Sequence, residues 1–235
     1  MTGMAADFAQ RGFAVAPLFA PDRVCAAQGD IADHIDRVAH ALYLPFDRSC
    51  PDAPLARRLD RIFAGERSTA ALLRTAICTD AHRGPRLADL ANDPRLIETA
   101  EKVSGERLAG KVIRIRASIA CFPEHRHAWH SDVARDDGVS CGRVRVTAWI
   151  PLSDAGPATG GLEIAEGRQP APLAEQVEGG YEIPEWRLAA LPRVRPVVPA
   201  GSALFLDRFT PHRTLPLAGP AADARFALVV WMKAA

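Results

Sequence analysis

The chain has 235 residues, 48% hydrophobic composition and a formal net charge of +1. These values suit a globular protein with a substantial core and give no basic footprint for nucleic acid or an anionic membrane. No apolar run approaches the ~20 residues of a spanning helix, and the N-terminus lacks a signal-peptide pattern. Five scattered cysteines without a CxxC pair favour free thiols in a reducing compartment. We therefore expect a cytoplasmic protein without nucleic-acid or membrane partners.

Helical patterns fill the first half of the chain. A proline followed by an acid predicts that a helix begins at Pro21, because proline suits the first turn and the acid complements the helix dipole. Shorter helices are expected over residues 53–63 and 70–79. A further helix is expected over residues 87–103, with an interruption at Pro94.

Strand patterns fill the second half. Residues 112–116 and 143–150 alternate between apolar and polar side chains, and residues 203–206 and 226–231 are apolar and β-prone. Glycine and proline turns separate these segments. Many short strands with long loops predict a mainly β fold with helices, namely a double-stranded β-helix of the jelly-roll or cupin-like type.

The two patterns together predict one domain over residues 1–235. Residues 1–110 would supply a strand and an N-terminal helical cover, and residues 111–235 would form the double-stranded β-helix. Residues 169–196 hold several prolines and no clear strand, so we expect an insertion that could serve as a lid.

A His-x-Asp pair and a distant histidine form the most informative motif. His130 and Asp132 are followed by His212, which lies 212 − 130 = 82 residues after His130. If the pair lies on a strand, both side chains point to one face. Two imidazoles and one carboxylate are the ligand set of non-heme Fe(II) oxygenases, which leave positions open for a co-substrate and O₂. Arg225 follows His212 by 225 − 212 = 13 residues, and its planar guanidinium can bind a carboxylate through two hydrogen bonds.

His125 and His127 offer a second possible ligand pair. Their His-x-His spacing occurs in cupin metal sites, where a glutamate normally follows within a few residues. Here the next candidates are His130 and Asp132. If they are not ligands, we expect His125 and His127 to lie either in a solvated loop or, for one of them such as His127, at the substrate entrance.

These motifs resemble the phytanoyl-CoA dioxygenase family of Fe(II)/2-oxoglutarate oxygenases over most of the chain. Residues 129–132 are similar to the family's Trp-His-Gln-Asp, and residues 146–152 are similar to a strand whose tryptophan lines the co-substrate pocket. Residues 8–15 resemble the family's opening strand, and residues 87–96 resemble the helix before its barrel. The C-terminal motif is matched by Gly201, Phe205, His212, Thr214 and Arg225.

The resemblance implies a reaction and a set of roles. Iron would be bound by His130, Asp132 and His212, and 2-oxoglutarate by Arg225 with help from Thr214 and Trp149. With O₂, 2-oxoglutarate would be decarboxylated to succinate while a small soluble metabolite is hydroxylated. Halogenating relatives replace the carboxylate at the position of Asp132 by a small residue, so its presence favours hydroxylation.

Substrate contacts are predicted from strand parity. Arg145 and Thr147 have the parity of Trp149, so all three should share one face, and Arg145 would bind an anionic group. Alternatively, Arg145 pairs with an acid at the strand end. His127 would be a third substrate contact. The alternative function is a non-redox isomerase or lyase on a cupin-like barrel, which would not need Arg225 to bind a carboxylate. The sequence does not indicate the oligomeric state.

Overall fold

Helices dominate the first part of the chain and antiparallel strands the second. The computed structural model describes residues 2–43, 67–120, 126–134, 142–177, 180–218 and 224–235. The helices are α1 (Thr2–Arg11), α2 (Pro21–Ala41), α3 (Arg67–Asp80), α4 (Pro85–Asn92) and α5 (Pro94–Ser104), with 3₁₀ turns at Ala81–Arg83 and Glu185–Leu188. The strands are β1 (Phe13–Pro17), β2 (Leu108–Ile119), β3 (Val144–Pro151), β4 (Leu162–Ala165), β5 (Glu175–Val177), β6 (Gly180–Glu182), β7 (Arg193–Val194), β8 (Ser202–Asp207), β9 (His212–Thr214) and β10 (Ala224–Ala234).

The strands form two principal antiparallel sheets. The larger sheet has the order β1-β8-β3-β10-β2, and the smaller has the order β7-β4-β9. Strands β5 and β6 pair with each other. The result is the cupin-like arrangement of antiparallel sheets with helices that the strand patterns predict. Among the described residues, no helix is long and apolar enough to cross a membrane.

Both faces of the larger sheet are buried, and each face has its own partner. On β10, Phe226, Leu228 and Val230 share a core cluster with residues of the helices, whereas Ala227 and Val229 pack with the smaller sheet. Side chains alternate along a strand, so one strand contributes to both clusters. This explains the apolar run of β10, and it places Arg225 on the face between the two sheets.

The helix boundaries follow local chemistry. Helix α2 begins at Pro21 as predicted, and its buried residues Val24, Ile31 and Ile35 recur at helical spacing. The interruption predicted at Pro94 is confirmed, because α4 ends at Asn92 and the Asp93 side chain accepts a hydrogen bond from the next helix at the Arg95 N–H. The helix expected over residues 53–63 lies outside the described residues.

Two element predictions are wrong. The opening strand expected over residues 8–15 begins only at Phe13, because α1 continues to Arg11 and buries Phe8 against the helical cluster. Gly12 separates the two elements with φ 82°, a conformation that favours glycine. Residues 169–196 are not free of strands either, since they contain β5, β6 and β7. Strand β7 pairs with β4 and so belongs to the smaller sheet.

Candidate metal centre

Three possible metal ligands lie together in a cavity between the sheets. His130, Asp132 and His212 each offer one ligand atom, and these atoms lie within 4.8 Å of one another. His212 begins β9, and His130 pairs with it in an isolated bridge where each backbone N–H donates to the other residue's carbonyl, at 3.0 and 2.9 Å. Asp132 lies in a bend. The expectation that His130 and Asp132 share a strand is therefore wrong, although both face the same cavity.

The hydrogen bonds of the two histidines orient their rings. His130 Nδ1 lies 2.8 Å from the Ala128 carbonyl oxygen, and His212 Nδ1 lies 3.0 Å from the Thr210 carbonyl oxygen. Because a carbonyl can only accept, each Nδ1 must carry the proton, and each Nε2 keeps a free lone pair. Burial first, and then the nearby His212, lowers the pKa of His130 to about 3. His130 is thus neutral near pH 7, which is the form that binds metals.

Asp132 keeps one carboxylate oxygen available. Its Oδ1 accepts a hydrogen bond from Trp231 Nε1 at 2.7 Å, and its Oδ2 is buried without a hydrogen-bond partner among the described residues. Burial alone would raise the pKa of Asp132, but the imidazoles of His212 and His130 and the Trp231 bond lower it below its ordinary value. The carboxylate is therefore ionised and presents a free oxygen to the two Nε2 atoms.

Arg225 presents a buried cation with unused donors to the same cavity. It is 3% exposed, and its Nη2 donates to Ser118 Oγ at 2.6 Å. Its Nε and Nη1 are buried without partners among the described residues, and its Cζ lies 5.0 Å from the centre of the Trp149 ring. Burial lowers the pKa of Arg225 to about 10, so the group remains charged near pH 7. Such a fork is suited to a carboxylate from outside the chain.

The cavity that joins these groups has a volume of about 40 Å³. Strand β3 contributes Thr147 and Trp149, β9 contributes Thr214, and the segment before His130 contributes His127. His125, the other member of the His-x-His pair, lies outside the described residues. The sequence analysis did not identify Trp231 as a partner of Asp132. Trp231 lies six residues after Arg225 on β10, so alternation along the strand places both side chains on one face.

Arg145 lies elsewhere, contrary to its predicted face. It is not among the residues that line the cavity, and its Nε lies 3.0 Å from Glu106 Oε2. Met232 pairs with Val146 whereas the next residue of β10 pairs with Val144, which leaves Arg145 as an extra residue in a β-bulge. A bulge redirects the side chain beyond it, so the parity with Trp149 fails at this residue.

A charged network supports the segments that carry both histidines. Two guanidinium groups contact the Trp129 ring, with Arg193 Cζ 5.4 Å and Arg213 Cζ 4.9 Å from its centre. Its indole Nε1 donates to Glu185 Oε1 at 3.1 Å. Arg213 also donates to the buried Glu163, which lies opposite it in the smaller sheet. Since Trp129 precedes His130 and Arg213 follows His212, the network fixes the backbone on both sides of the candidate metal centre.

We expect Glu163→Gln to destabilise the protein by about 1–3 kcal/mol, because it removes a buried charge that accepts from Arg195 and Arg213. Burial raises the pKa of Glu163, but the two arginines lower it below its ordinary value of 4.5. This stabilisation is therefore present above pH 4.5 and is lost as the pH falls through the lower folded-state pKa. The measurement is urea unfolding at pH 7 and pH 4. Glu98→Gln is the matched control, since Glu98 is exposed on α5 outside this network; equal losses for both variants would contradict the prediction.

No protein-family model matches the sequence, and no curated protein matches it significantly. Solved structures do match. The non-heme monooxygenase ThoJ superposes with a TM-score of 0.65 at 17% identity, over 98% of this chain and 77% of ThoJ. AviO1 from Streptomyces viridochromogenes Tue57 superposes with a TM-score of 0.61 at 19% identity, over 99% of this chain and 94% of AviO1. The chain shares their fold. The epimerase SnoN, solved with Fe³⁺, α-ketoglutarate (2-oxoglutarate) and nogalamycin RO, also matches, with a TM-score of 0.56 at 18% identity over 100% of this chain and 83% of SnoN.

Proposed function

We propose that this protein is an Fe(II)/2-oxoglutarate-dependent oxygenase that hydroxylates a small organic molecule. The observation that carries the proposal is the buried guanidinium of Arg225 in the cavity of the His-Asp-His group, whose Nε and Nη1 have no hydrogen-bond partner among the described residues. A metal centre alone does not require a second buried cation. A co-substrate that bears a carboxylate and chelates the metal accounts for both features.

The residues of the cavity fit iron and 2-oxoglutarate. His130, Asp132 and His212 would bind Fe(II) through two neutral imidazoles and one ionised carboxylate, a ligand set suited to that ion. Arg225 would bind the distal carboxylate of 2-oxoglutarate, beside Thr214 and Trp149. When bound, these groups supply the oxidising chemistry, in which O₂ and 2-oxoglutarate convert R–H to R–OH and release succinate and CO₂.

The chain itself orients the candidate ligands and keeps the Arg225 guanidinium buried. The carbonyls of Ala128 and Thr210 hold both imidazoles with Nε2 free, and Trp231 holds Asp132 through one oxygen so that the other remains available. The burial of Arg225 between the sheets strengthens its interaction with a carboxylate. The side chains are therefore positioned before the chemical step begins.

The proposed family and the proposed reaction outcome are supported by individual residues. The motifs around His130 and the C-terminal strands support membership of the phytanoyl-CoA dioxygenase family. The carboxylate of Asp132 supports hydroxylation, since halogenating relatives have a small residue at this position. SnoN is an epimerase on the same fold, so the outcome has to be measured directly. A non-redox isomerase or lyase would not require the buried N–H donors of Arg225 to bind a carboxylate.

The test is 2-oxoglutarate turnover in the absence of the true substrate. We expect purified protein with Fe(II), ascorbate and O₂ to form succinate slowly, and to form none when Fe(II) is omitted or Zn²⁺ replaces it. Succinate can be measured by mass spectrometry with ¹³C-labelled 2-oxoglutarate. If the protein neither binds nor consumes 2-oxoglutarate, the proposed function is wrong, and the isomerase or lyase alternative gains support.

A further inference from the structure

Arg116 is a second cationic side chain of the cavity. It lies on β2 and lines the cavity together with the three candidate ligands. It makes no hydrogen bond or ion pair with any residue that the structure describes. Arg145, by contrast, is paired with Glu106. The cationic group available to a substrate is therefore Arg116.

Arg116 reaches the ring of Trp231, which is hydrogen-bonded to the candidate ligand Asp132. Its Cζ is 5.4 Å from the centre of the Trp231 ring, and the indole N–H of that ring donates to Asp132. On β2, Arg116 precedes Ser118, the partner of Arg225, by two residues and on the same face. Two residues of strand correspond to roughly 6.6 Å. The two guanidinium groups thus extend from backbone positions that are clearly separated along the cavity wall.

A second arginine increases the positive potential at this position. Arg74 of α3 has a buried Nε without a partner among the described residues. Its charge acts on Arg116 and on His127. Burial is the main cause that lowers the pKa of Arg116; the charges of Cys78 and Asp132 raise that pKa, and those of Arg74 and Arg114 lower it further. Like charges held together in a partly buried site are unfavourable unless an anion joins them.

The charges of the proposed reactants do not neutralise Arg116. The two positive charges of Fe(II) and the one of Arg225 are balanced by the one negative charge of Asp132 and the two of 2-oxoglutarate. Arg116 remains in excess beside the metal. Resting on the proposed function, we propose that the substrate carries an oxyanion group, a phosphate or a carboxylate, which Arg116 binds with support from Arg74.

The experiment measures anion binding directly, without turnover. Inorganic phosphate and sodium acetate are titrated by calorimetry into protein loaded with Mn(II) and 2-oxoglutarate, and separately into protein without 2-oxoglutarate. We expect saturable one-to-one binding of at least one anion, and the anion that binds more tightly identifies the group. Arg116→Gln should weaken that binding by about tenfold or more, because a charge-assisted partner is lost. Arg116→Lys should retain part of it, since the charge remains.

Arg143→Gln is the matched control, because it makes the same charge change at an exposed residue outside the cavity lining. The proposal is overturned if neither anion binds, if Arg143→Gln weakens binding as much as Arg116→Gln, or if 2-oxoglutarate displaces the anion. It is also overturned if Arg116→Gln weakens 2-oxoglutarate binding instead, since Arg116 would then belong to the co-substrate site. Failure of wild-type protein to bind 2-oxoglutarate would contradict the proposed function alone, because the titration without 2-oxoglutarate still reports on Arg116.

Discussion

Replacing His212 with alanine is expected to abolish stoichiometric Fe(II) binding and all 2-oxoglutarate turnover. The proposed centre has three protein ligands, so the variant would hold the ion by two of them and by solvent. Loss of a residue that merely orients a ligand weakens metal binding by roughly 10–100-fold, and loss of a ligand should exceed that. His130→Ala and Asp132→Ala should behave alike. Anaerobic titration with Fe(II), followed by metal analysis after gel filtration, measures the effect.

The controls separate ligand loss from general damage. His34→Ala removes a histidine of α2 that lies outside the cavity lining, and it should bind Fe(II) as the wild-type protein does. His127→Ala should also retain the ion, because His127 is not part of the ligand group. Trp231→Phe should give an intermediate affinity, since it removes only the hydrogen bond to Asp132. Wild-type affinity in Asp132→Ala would exclude this set of ligands.

Replacing Arg225 with alanine should raise the 2-oxoglutarate concentration needed for half-maximal succinate formation by well over about tenfold, because truncating a buried charge-assisted partner typically costs about 2–5 kcal/mol. Fe(II) binding should remain, since Arg225 is not a ligand. Arg225→Lys should restore only part of the affinity, because lysine is a point charge without the planar fork. Titration of Mn(II)-loaded protein with 2-oxoglutarate gives the dissociation constant independently of turnover.

A control variant and one possible result would test the proposed role of Arg225 in binding 2-oxoglutarate. Arg143→Ala removes an exposed guanidinium from the same large sheet and should leave the 2-oxoglutarate dependence unchanged. An Arg225→Ala protein with wild-type 2-oxoglutarate affinity would show that another cation binds the co-substrate. Arg116 would then be the first candidate, since it lines the same cavity.

Residue type and spacing were sufficient to select side chains that the fold brings together. His130, Asp132, His212 and Arg225 lie far apart in the chain, yet all four line one cavity. Their selection depended on chemistry, because two imidazoles, a carboxylate and a later guanidinium form a recognisable set. The Asp93–Pro94 interruption was equally predictable, since both residues act on the adjacent backbone alone.

The failures came from features that no local pattern carries. The bulge at Arg145 is visible only in its pairing with β10, so parity along β3 gave the wrong face. Strand β7 has two residues, too few to show alternation, and it is defined by its partner β4. Arg116 could not be preferred to Arg145 from sequence, because the difference between them is that one is paired with Glu106 and the other faces the cavity.

The mutual backbone bridge between His130 and His212 has a thermodynamic consequence. The two residues are separated by 82 positions, and closing a flexible loop of that length costs on the order of 4 kcal/mol in chain entropy. In the folded chain the two backbone hydrogen bonds and the packing of the surrounding sheets compensate this loss of entropy before any ion binds. An ion that binds at the proposed centre would therefore find two imidazoles in place and would not have to order the polypeptide. In this respect the centre differs from small zinc domains, whose folding and metal binding are one event.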